Sequence, residues 1–233
     1  MRSTRSPDTA PARISCIIPA HNESKRIASV LAAVVGHPLI SEVIVVDDAS
    51  TDGTVAVVKA LPGVRLIALK QNRGKSGALY AGIQESTGSL LLLVDGDLIG
   101  LTAEHVTALI MPVAKERADI SISLRENTPR LWKLIGLDYI SGERVFSRDL
   151  LDNRFESLPR FGFEVYLNDL CIQRKSRIAI VSWDGVQSPF KNRKYGFLKG
   201  MAADIGMISD IFRTVSPFGV LRQIFVMLRL RVN

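Results

Sequence analysis

Residues Ser89 to Leu98 read SLLLLVDGDL. Leu90 to Val94 are apolar without a break, and Asp95, Gly96 and Asp97 follow at once. A short continuous apolar run suits a strand buried on both faces of a parallel sheet. Ligands of open α/β sheets bind beyond the carboxyl ends of the strands, so two carboxylates placed there form a compact anionic mouth. Gly96 gives the backbone freedom to turn between them, which lets both side chains address one ion. Hard oxygen ligands of this kind suit Mg2+ or Mn2+, ions that commonly bind substrate phosphates as well. The plainer reading of the same residues is a polar turn after a strand. The flanking segments decide between the two.

Working toward the N-terminus, Ile14 to Ile18 (ISCII) reads as a strand closed by Pro19, with His21, Asn22 and Glu23 in the loop beyond. Ser24 is the expected N-cap of a helix over Lys25 to Val35. Glu42 to Val46 (EVIVV) is a second strand ending on Asp47 and Asp48, and a turn over Ser50 to Gly53 caps a helix over Thr54 to Ala60. Val64 to Leu69 is a third strand, followed by a loop KQNRGKSG and a helix over Ala78 to Glu85. This β-α-β-α-β-α-β alternation predicts a mostly parallel sheet with right-handed crossovers. Three strand ends deliver polar residues to one edge: His21 to Glu23, Asp47 with Asp48, and Asp95 with Asp97. That convergence favours a site over a turn.

Beyond the acidic turn, a helix is expected from Thr102 to about Lys115 despite Pro112, then a strand over Asp119 to Leu124. Glu126 to Arg160 has a looser pattern, including SGERVFSRDLL from Ser141. Gly162 to Gln173 reads as a helix and Ile178 to Ser182 as a strand. Lys191, Arg193, Lys194 and Lys199 form a basic run, and helices are expected over Gly200 to Arg213 and Pro217 to Leu230. The 233 residues include 47% hydrophobic residues, enough for a substantial core. Thirty Lys and Arg against 23 Asp and Glu, a net charge of +7, fit an anionic partner: a nucleotide, a lipid phosphate or an acidic membrane surface. No nucleic-acid recognition motif is present, so nucleic acid is not an expected partner. Cys16 and Cys171 lie in apolar runs without metal spacing, which suits a reducing cytoplasm. Met1 to Arg13 lacks an apolar core and reads as a loose leader rather than a signal peptide. No stretch reaches the roughly 18 apolar residues needed to span a bilayer.

Four segments together, IIPAHNE at Ile17 to Glu23, VIVVDDASTDGT at Val43 to Thr54, NRGKSGALYAGI at Asn72 to Ile83 and LLLVDGD at Leu91 to Asp97, resemble the family-2 glycosyltransferases of the GT-A type. The resemblance covers roughly the first 125 residues well and the rest loosely. It implies a GT-A (Rossmann-like) α/β fold, with a mostly parallel sheet flanked by helices and further helices at the C-terminus. With the loose leader over 1–13 and a C-terminal amphipathic helix over 214–233, it implies a glycosyltransferase domain over 14–213 with a nucleotide-sugar half (14–125) and an acceptor half (126–213). It implies one metal-assisted, inverting, non-processive transfer from a UDP- or GDP-sugar, since the Q-x-x-R-W string of processive relatives has no counterpart beyond PRLW at Pro129 to Trp132.

By this resemblance Asp97 is the direct metal ligand and Asp95 helps hold the ribose or the metal. Pro19, Ala20, Glu23 and Asp48 lie near the base and ribose, Gly96 lies in the donor site, and Arg73 and Lys75 face base or phosphates. Asp47 is either a further contact or a support beneath the site, and His21 either a nucleotide contact or a structural residue. Glu164 in RFGFEVYLND is the expected general base, with Glu143 as second candidate or acceptor-orienting group; the plainer reading of Glu164 is a first-turn carboxylate favoured by the helix dipole. An acceptor that is already a phosphate needs no strong base. Relatives often place a His after the last strand as a metal contact, and Gly185 to Gly196 holds none. Metal binding then rests on the two aspartates, the diphosphate and water.

The acceptor expected is a polyprenyl phosphate or another membrane lipid. The alternatives are a small soluble acceptor such as a phosphorylated acid, or a nucleotide-sugar-binding protein without turnover. PFGVLRQIFVMLRLRVN from Pro217 is too short to span a bilayer but suits a helix in the interface, with Arg222, Arg229 and Arg231 toward anionic headgroups. The competing reading is a helix packed on the core or in a homodimer contact. The expected location is cytoplasmic, peripheral on the inner face of the cell membrane. GKS at Gly74 to Ser76 evokes a Walker A loop, but Leu69 stands where that motif needs its first glycine.

Overall fold

The strands form because their side chains can be buried on both faces. In β1 (Ile14–Ala20), Cys16, Ile17 and Ile18 are fully buried, and every residue of β4 (Leu90–Leu93) is buried. The computed structural model describes residues 12–128, 130–160, 162–189 and 215–232. The remaining strands are β2 (Glu42–Asp47), β3 (Val64–Ala68), β5 (Ile120–Arg125), β6 (Arg144–Ser147), β7 (Ile178–Trp183) and β8 (Arg231–Val232). They make one sheet in the order β3-β2-β1-β4-β6-β5-β7-β8. Every neighbouring pair is parallel except those of β6, which runs antiparallel to both β4 and β5.

Alternate residues of the strands feed two cores. One holds Cys16 and Ile18 with Ile27, Val30 and Leu31 of α1 (Ile27–Val34), Val58 of α2 (Thr54–Lys59) and Val106, Leu109 and Ile110 of α4 (Ala103–Ala114). The other holds Ile17 with Leu79 and Ile83 of α3 (Gly74–Glu85), Leu167 and Leu170 of α6 (Phe163–Gln173) and Met227 of α7 (Pro217–Arg229). A short helix, α5 (Arg130–Ile135), follows β5. The α/β expectation, with a mostly parallel sheet between helices, is borne out.

Several boundaries differ for identifiable reasons. Helix α3 starts at Gly74, four residues before the expected Ala78, because the Asp48 carboxylate accepts the N–H groups of Arg73 (2.6 Å) and Gly74 (2.8 Å). These N–H groups have no partner within the helix, and an anion there is favoured by the helix dipole. Lys75 therefore lies in a helical first turn rather than a loop. Ser24 is not an N-cap: Arg26 and Ile27 donate their N–H groups to the Glu23 carbonyl, and α1 begins at Ile27. Gly96 does not have a positive φ. A Cβ there would stand 3.1 Å from the Pro19 carbonyl oxygen and 3.2 Å from Ile27 Cδ1, tighter than ordinary contact, so the acidic turn lies directly on the end of β1. Elements α5, β6 and β8 have no counterpart in the sequence reading. The basic run Lys191 to Lys199 and the helix expected over Gly200 to Arg213 lie outside the described residues. The expected terminal helix is present, and β8 after it pairs with β7 (Ile178 with Arg231), tying that helix into the sheet.

Helix α3 is held at its other end too. Arg148 donates to the carbonyls of Ile83 (2.8 Å), Ser86 (2.9 Å) and Gly88 (3.0 Å), so one guanidinium collects the carbonyls at and just past the helix C-terminus. A cation at that position satisfies carbonyl groups left over by the helix and complements its dipole. Arg148→Ala is expected to destabilise the protein by about 1–3 kcal/mol, read as a lower urea midpoint. Arg148→Lys should recover only part of the loss, because an ammonium lacks the planar fork. An unchanged midpoint in Arg148→Ala would remove the clamp from the account.

Candidate functional site

The carboxyl ends of the parallel strands define one edge, and β6 enters it from the opposite direction. Because β6 is antiparallel, its first residue, Arg144, pairs with Leu93, the last of β4. Glu143 is thereby carried to the place where the Asp95–Asp97 turn begins. The N-termini of α3 and α6 open at the same place, bringing Lys75 and Glu164 in their first turns. The Lys75 ammonium lies 2.5 Å from Asp95 Oδ1 and 2.8 Å from Glu164 Oε1. One cation thus bridges the end of β4 and the start of α6. Gly142 closes on this bridge: a Cβ there would stand 2.7 Å from both Asp95 carboxylate oxygens.

Behind the bridge is a buried polar layer. Arg125, at the end of β5, pairs with Asp138 (3.3 Å) and Glu143 (3.4 Å). Glu143 is fully buried and accepts from the hydroxyls of Ser123 (2.7 Å) and Ser141 (3.0 Å). Fully buried and so occupied, Glu143 lies directly beneath the acidic turn. Arg144, fully buried as well, donates to the carbonyls of Ser141 (2.8 Å) and Tyr139 (3.0 Å) and to the Asn168 amide oxygen (2.6 Å), joining the 139–143 loop to α6.

Electrostatics follow from this placement. Burial alone would lower the Lys75 pKa, but the charges of Asp95 and then Glu164 hold it well above the ordinary lysine value. Burial would raise Asp95, but Lys75, with help from Arg125, keeps it below the usual carboxylate range. Burial pushes Glu143 up, Arg125 opposes this, and the charge of Asp95 adds to it. Asp97 takes the remaining imbalance. Burial, and next the charge of Asp95, push its carboxyl up to about 6 against the opposing pull of Lys75.

Among the described residues no group of three or more His, Cys, Asp or Glu is arranged to hold a metal ion. The oxygen donors of Asp95 and Asp97 nevertheless fit Mg2+ or Mn2+, ions that often take few protein carboxylates and complete their shell with substrate phosphate and water. A positive charge beside Asp97 would also relieve the penalty that raises its pKa.

The other expected residues fall as follows. Pro19 and Ala20 end β1 under the acidic turn, and Glu23 is buried just beyond, its N–H donated to Thr54 Oγ1 (2.8 Å). Asp48 stands at the same edge, both oxygens taken up by the α3 N-terminus. Asp47 supports its own turn by accepting from the Ser50 N–H (3.1 Å). Arg73 is exposed at the start of α3. His21 hydrogen-bonds through Nδ1 to the Asp48 carbonyl (2.8 Å), at the same edge. Arg125, Asp138, Ser123 and Gly142 escaped the sequence reading. The one available signal was SGER at Ser141 to Arg144, polar residues where a strand begins.

With this geometry in place, the model of the family described as "Glycosyl transferase family 2" matches residues 15–163. The chain belongs to glycosyl transferase family 2. This family-2 chain is 29% identical over 179 residues to the dolichyl-phosphate beta-glucosyltransferase of Dictyostelium discoideum, covering 69% of this chain and 50% of that protein. It is 24% identical over 245 residues to the undecaprenyl-phosphate 4-deoxy-4-formamido-L-arabinose transferase of Sodalis glossinidius, covering 94% and 73%. Among solved structures, the glucosyl-3-phosphoglycerate synthase of Mycobacterium tuberculosis in complex with Mn2+, UDP-glucose and phosphoglyceric acid superposes with a TM-score of 0.67. That match is 25% identical and covers 87% of this chain and 79% of the other. The family-2 chain thus spans half the length of the first of these relatives.

The raised pKa of Asp97 sets a sign for stability. An unfolded Asp releases its proton near pH 4, while folded Asp97 keeps it to about 6. Between these values the folded chain binds the extra proton, so stability falls as pH rises through the window and the penalty is complete above it. In EDTA, Asp97→Asn is expected to melt a few degrees above wild type at about pH 7.5, with the difference closing toward about pH 4. Equal melting temperatures at both pH values would contradict the assignment.

Proposed function

We propose that this chain is the catalytic unit of a glycosyltransferase that moves one sugar from a UDP- or GDP-sugar to a polyprenyl phosphate at the inner face of the cell membrane. The observation that carries the reading is the Lys75 bridge between Asp95 and Glu164, at the edge where Asp97 and two helix N-termini also meet. The relatives named for dolichyl- and undecaprenyl-phosphate transfer support the acceptor class.

In this reading the donor lies along the strand ends, over Pro19, Ala20 and Gly96. Glu23 accepts from base or ribose, and Arg73 faces base or phosphates. Asp48 contributes chiefly by holding the start of α3. Asp97, with Asp95, would hold Mg2+ or Mn2+, which as a Lewis acid neutralises charge on the departing diphosphate. Lys75 orients Asp95 and Glu164 and adds positive charge where the diphosphate develops its own negative charge. The open N-terminus of α6 favours an anion in the same place. Glu164 stands where it would orient the acceptor, and would take its proton were the acceptor a hydroxyl. A phosphate acceptor is nucleophilic as it stands, so Glu164 then positions it.

The direct test incubates the purified chain with a panel of UDP- and GDP-sugars and a polyprenyl phosphate, with and without Mn2+, and measures the lipid product. Asp97→Ala is expected to lower turnover by about 100-fold or more while the fold is retained. Lys75→Met should lower kcat by a similar factor, because both carboxylates lose their shared cation. Wild-type turnover in Asp97→Ala would take Asp97 out of the site. Absence of both turnover and donor binding across the panel would remove the transferase reading. Product formed only with phosphorylated acids would move the assignment to a soluble acceptor.

A further inference from the structure

Helix α7 turns one side inward and leaves the other uncovered. Gln223 and Met227 are buried, while Phe218 is 85%, Leu221 66% and Phe225 55% exposed. Spacings of three and four residues put these three on one side of the helix. Arg222 and Arg229 are exposed on the same side, and the Arg229 guanidinium lies 4.2 Å over the Phe225 ring. Helix α5 lies beside the end of α7, where Arg231 Nη1 donates to the Ile135 carbonyl (3.1 Å). It adds Leu134, 85% exposed, with Arg130 and Lys133 also exposed. Neither helix contains an Asp or a Glu. Large apolar side chains facing water, interleaved with cations and free of acids, match the boundary of an anionic bilayer, where rings and aliphatic chains enter the acyl region and arginines meet phosphates. They match a second copy of the chain less well: a two-fold contact of this face with itself would bring two cationic helix surfaces together with no Asp or Glu from either helix between them. No helix among the described residues is long and apolar enough to cross a membrane, so this contact is peripheral.

We propose that the outer face of α7, with the adjoining end of α5, docks on an anionic lipid bilayer and presents the site to its acceptor. The inference rests on the polyprenyl-phosphate reading for its purpose, but not for its geometry. The inner side of α7 gives docking its consequence. Tyr139 donates its hydroxyl to Gln223 of α7 (2.6 Å). The Tyr139 carbonyl accepts from Arg144 (3.0 Å) and Asn168 (3.0 Å), and Trp132 stacks on the Tyr139 ring at 6.0 Å between centroids. Three residues after Tyr139, Gly142 packs on the Lys75–Asp95 bridge. The face that meets the membrane is therefore joined through its other side to the loop that lines the site. A headgroup fixed in the bilayer surface cannot travel to a distant cleft, so the cleft is held at a set height above it.

The test is co-sedimentation of the chain with vesicles of phosphatidylcholine alone or with added phosphatidylglycerol, alongside turnover on a vesicle-borne polyprenyl phosphate and on a short-chain, water-soluble prenyl phosphate. Wild type is expected to sediment with the anionic vesicles. Phe218→Ser/Phe225→Ser and Arg222→Gln/Arg229→Gln should each weaken that binding about tenfold or more. Both variants should keep the wild-type melting temperature and turnover on the soluble acceptor, and lose turnover on the vesicle-borne one. Failure of wild type to sediment, or sedimentation of both variants like wild type, would overturn the proposal. So would a wild-type dimer in solution that the Phe variant dissolves, which would give the face to a second copy. Vesicle binding lost in the variants, with no turnover on either acceptor, would uphold the docking face and strike at the acceptor reading instead.

Discussion

The site depends on one ammonium group placed between two carboxylates. Asp95 and Glu164 are 69 residues apart in sequence (164 minus 95) and arrive on different elements, yet Lys75 contacts both. Like charges brought together away from water repel strongly. Lys75 makes the convergence of Asp95 and Glu164 tolerable, and Arg125 does the same for Glu143 and Asp138 beneath. These two cations leave the acids unevenly served, and the remaining strain falls on Asp97, whose carboxyl is pushed up to about 6. A positive charge brought beside Asp97 would lower that cost.

Lys75 can bridge only if α3 is positioned to better than the length of a hydrogen bond. Two clamps outside the site achieve this. Asp48 fixes the first turn through the N–H groups of Arg73 and Gly74, and Arg148 collects the carbonyls where the helix ends. The acidic pair at the end of β2 is thereby divided. Asp47 secures its own turn and Asp48 secures the helix that carries the bridging cation. A carboxylate at a strand end can thus hold the backbone of a neighbouring element as well as face the open edge.

The chain through β4 was legible because its signals are local. An apolar run that stops on Asp-Gly-Asp, strands of four to seven residues and short crossovers all state their geometry within a few positions, and β1 to β4 fell where the periodicity put them. Errors there were of contact rather than pattern. Ser24 has the chemistry of a cap, but the chain already turns on the Glu23 carbonyl. Gly96 has the freedom of a turn residue, but its φ is not positive and what it meets is the close approach of Pro19. Farther along, α6, β7 and α7 also fell where the pattern put them, but α5, β6 and β8 were not legible. Strand β6 is only four residues long and its identity lies in pairing Leu90 to Leu93 with Ser147 to Arg144, a partnership that no periodicity within Arg144 to Ser147 announces. Strand β8, two residues long, is defined wholly by β7.

That non-local strand also explains Arg144. Burying a guanidinium costs several kcal/mol unless its donors are satisfied, and burial depresses its pKa here. Carbonyls of Tyr139 and Ser141 and the Asn168 amide oxygen take up its N–H groups. Each of these acceptors belongs to a segment with no strand ladder of its own at that point. An apolar residue in place of Arg144 would fill the space but leave those groups unpaired, which is the more expensive error. The arginine therefore does what a backbone ladder does elsewhere in the sheet. It fixes an irregular loop against α6, with Gly142 on one side facing the bridge and Tyr139 on the other facing α7. Strands β1 to β4 are held by parallel ladders, and the 139–143 loop beside them is held by one buried cation.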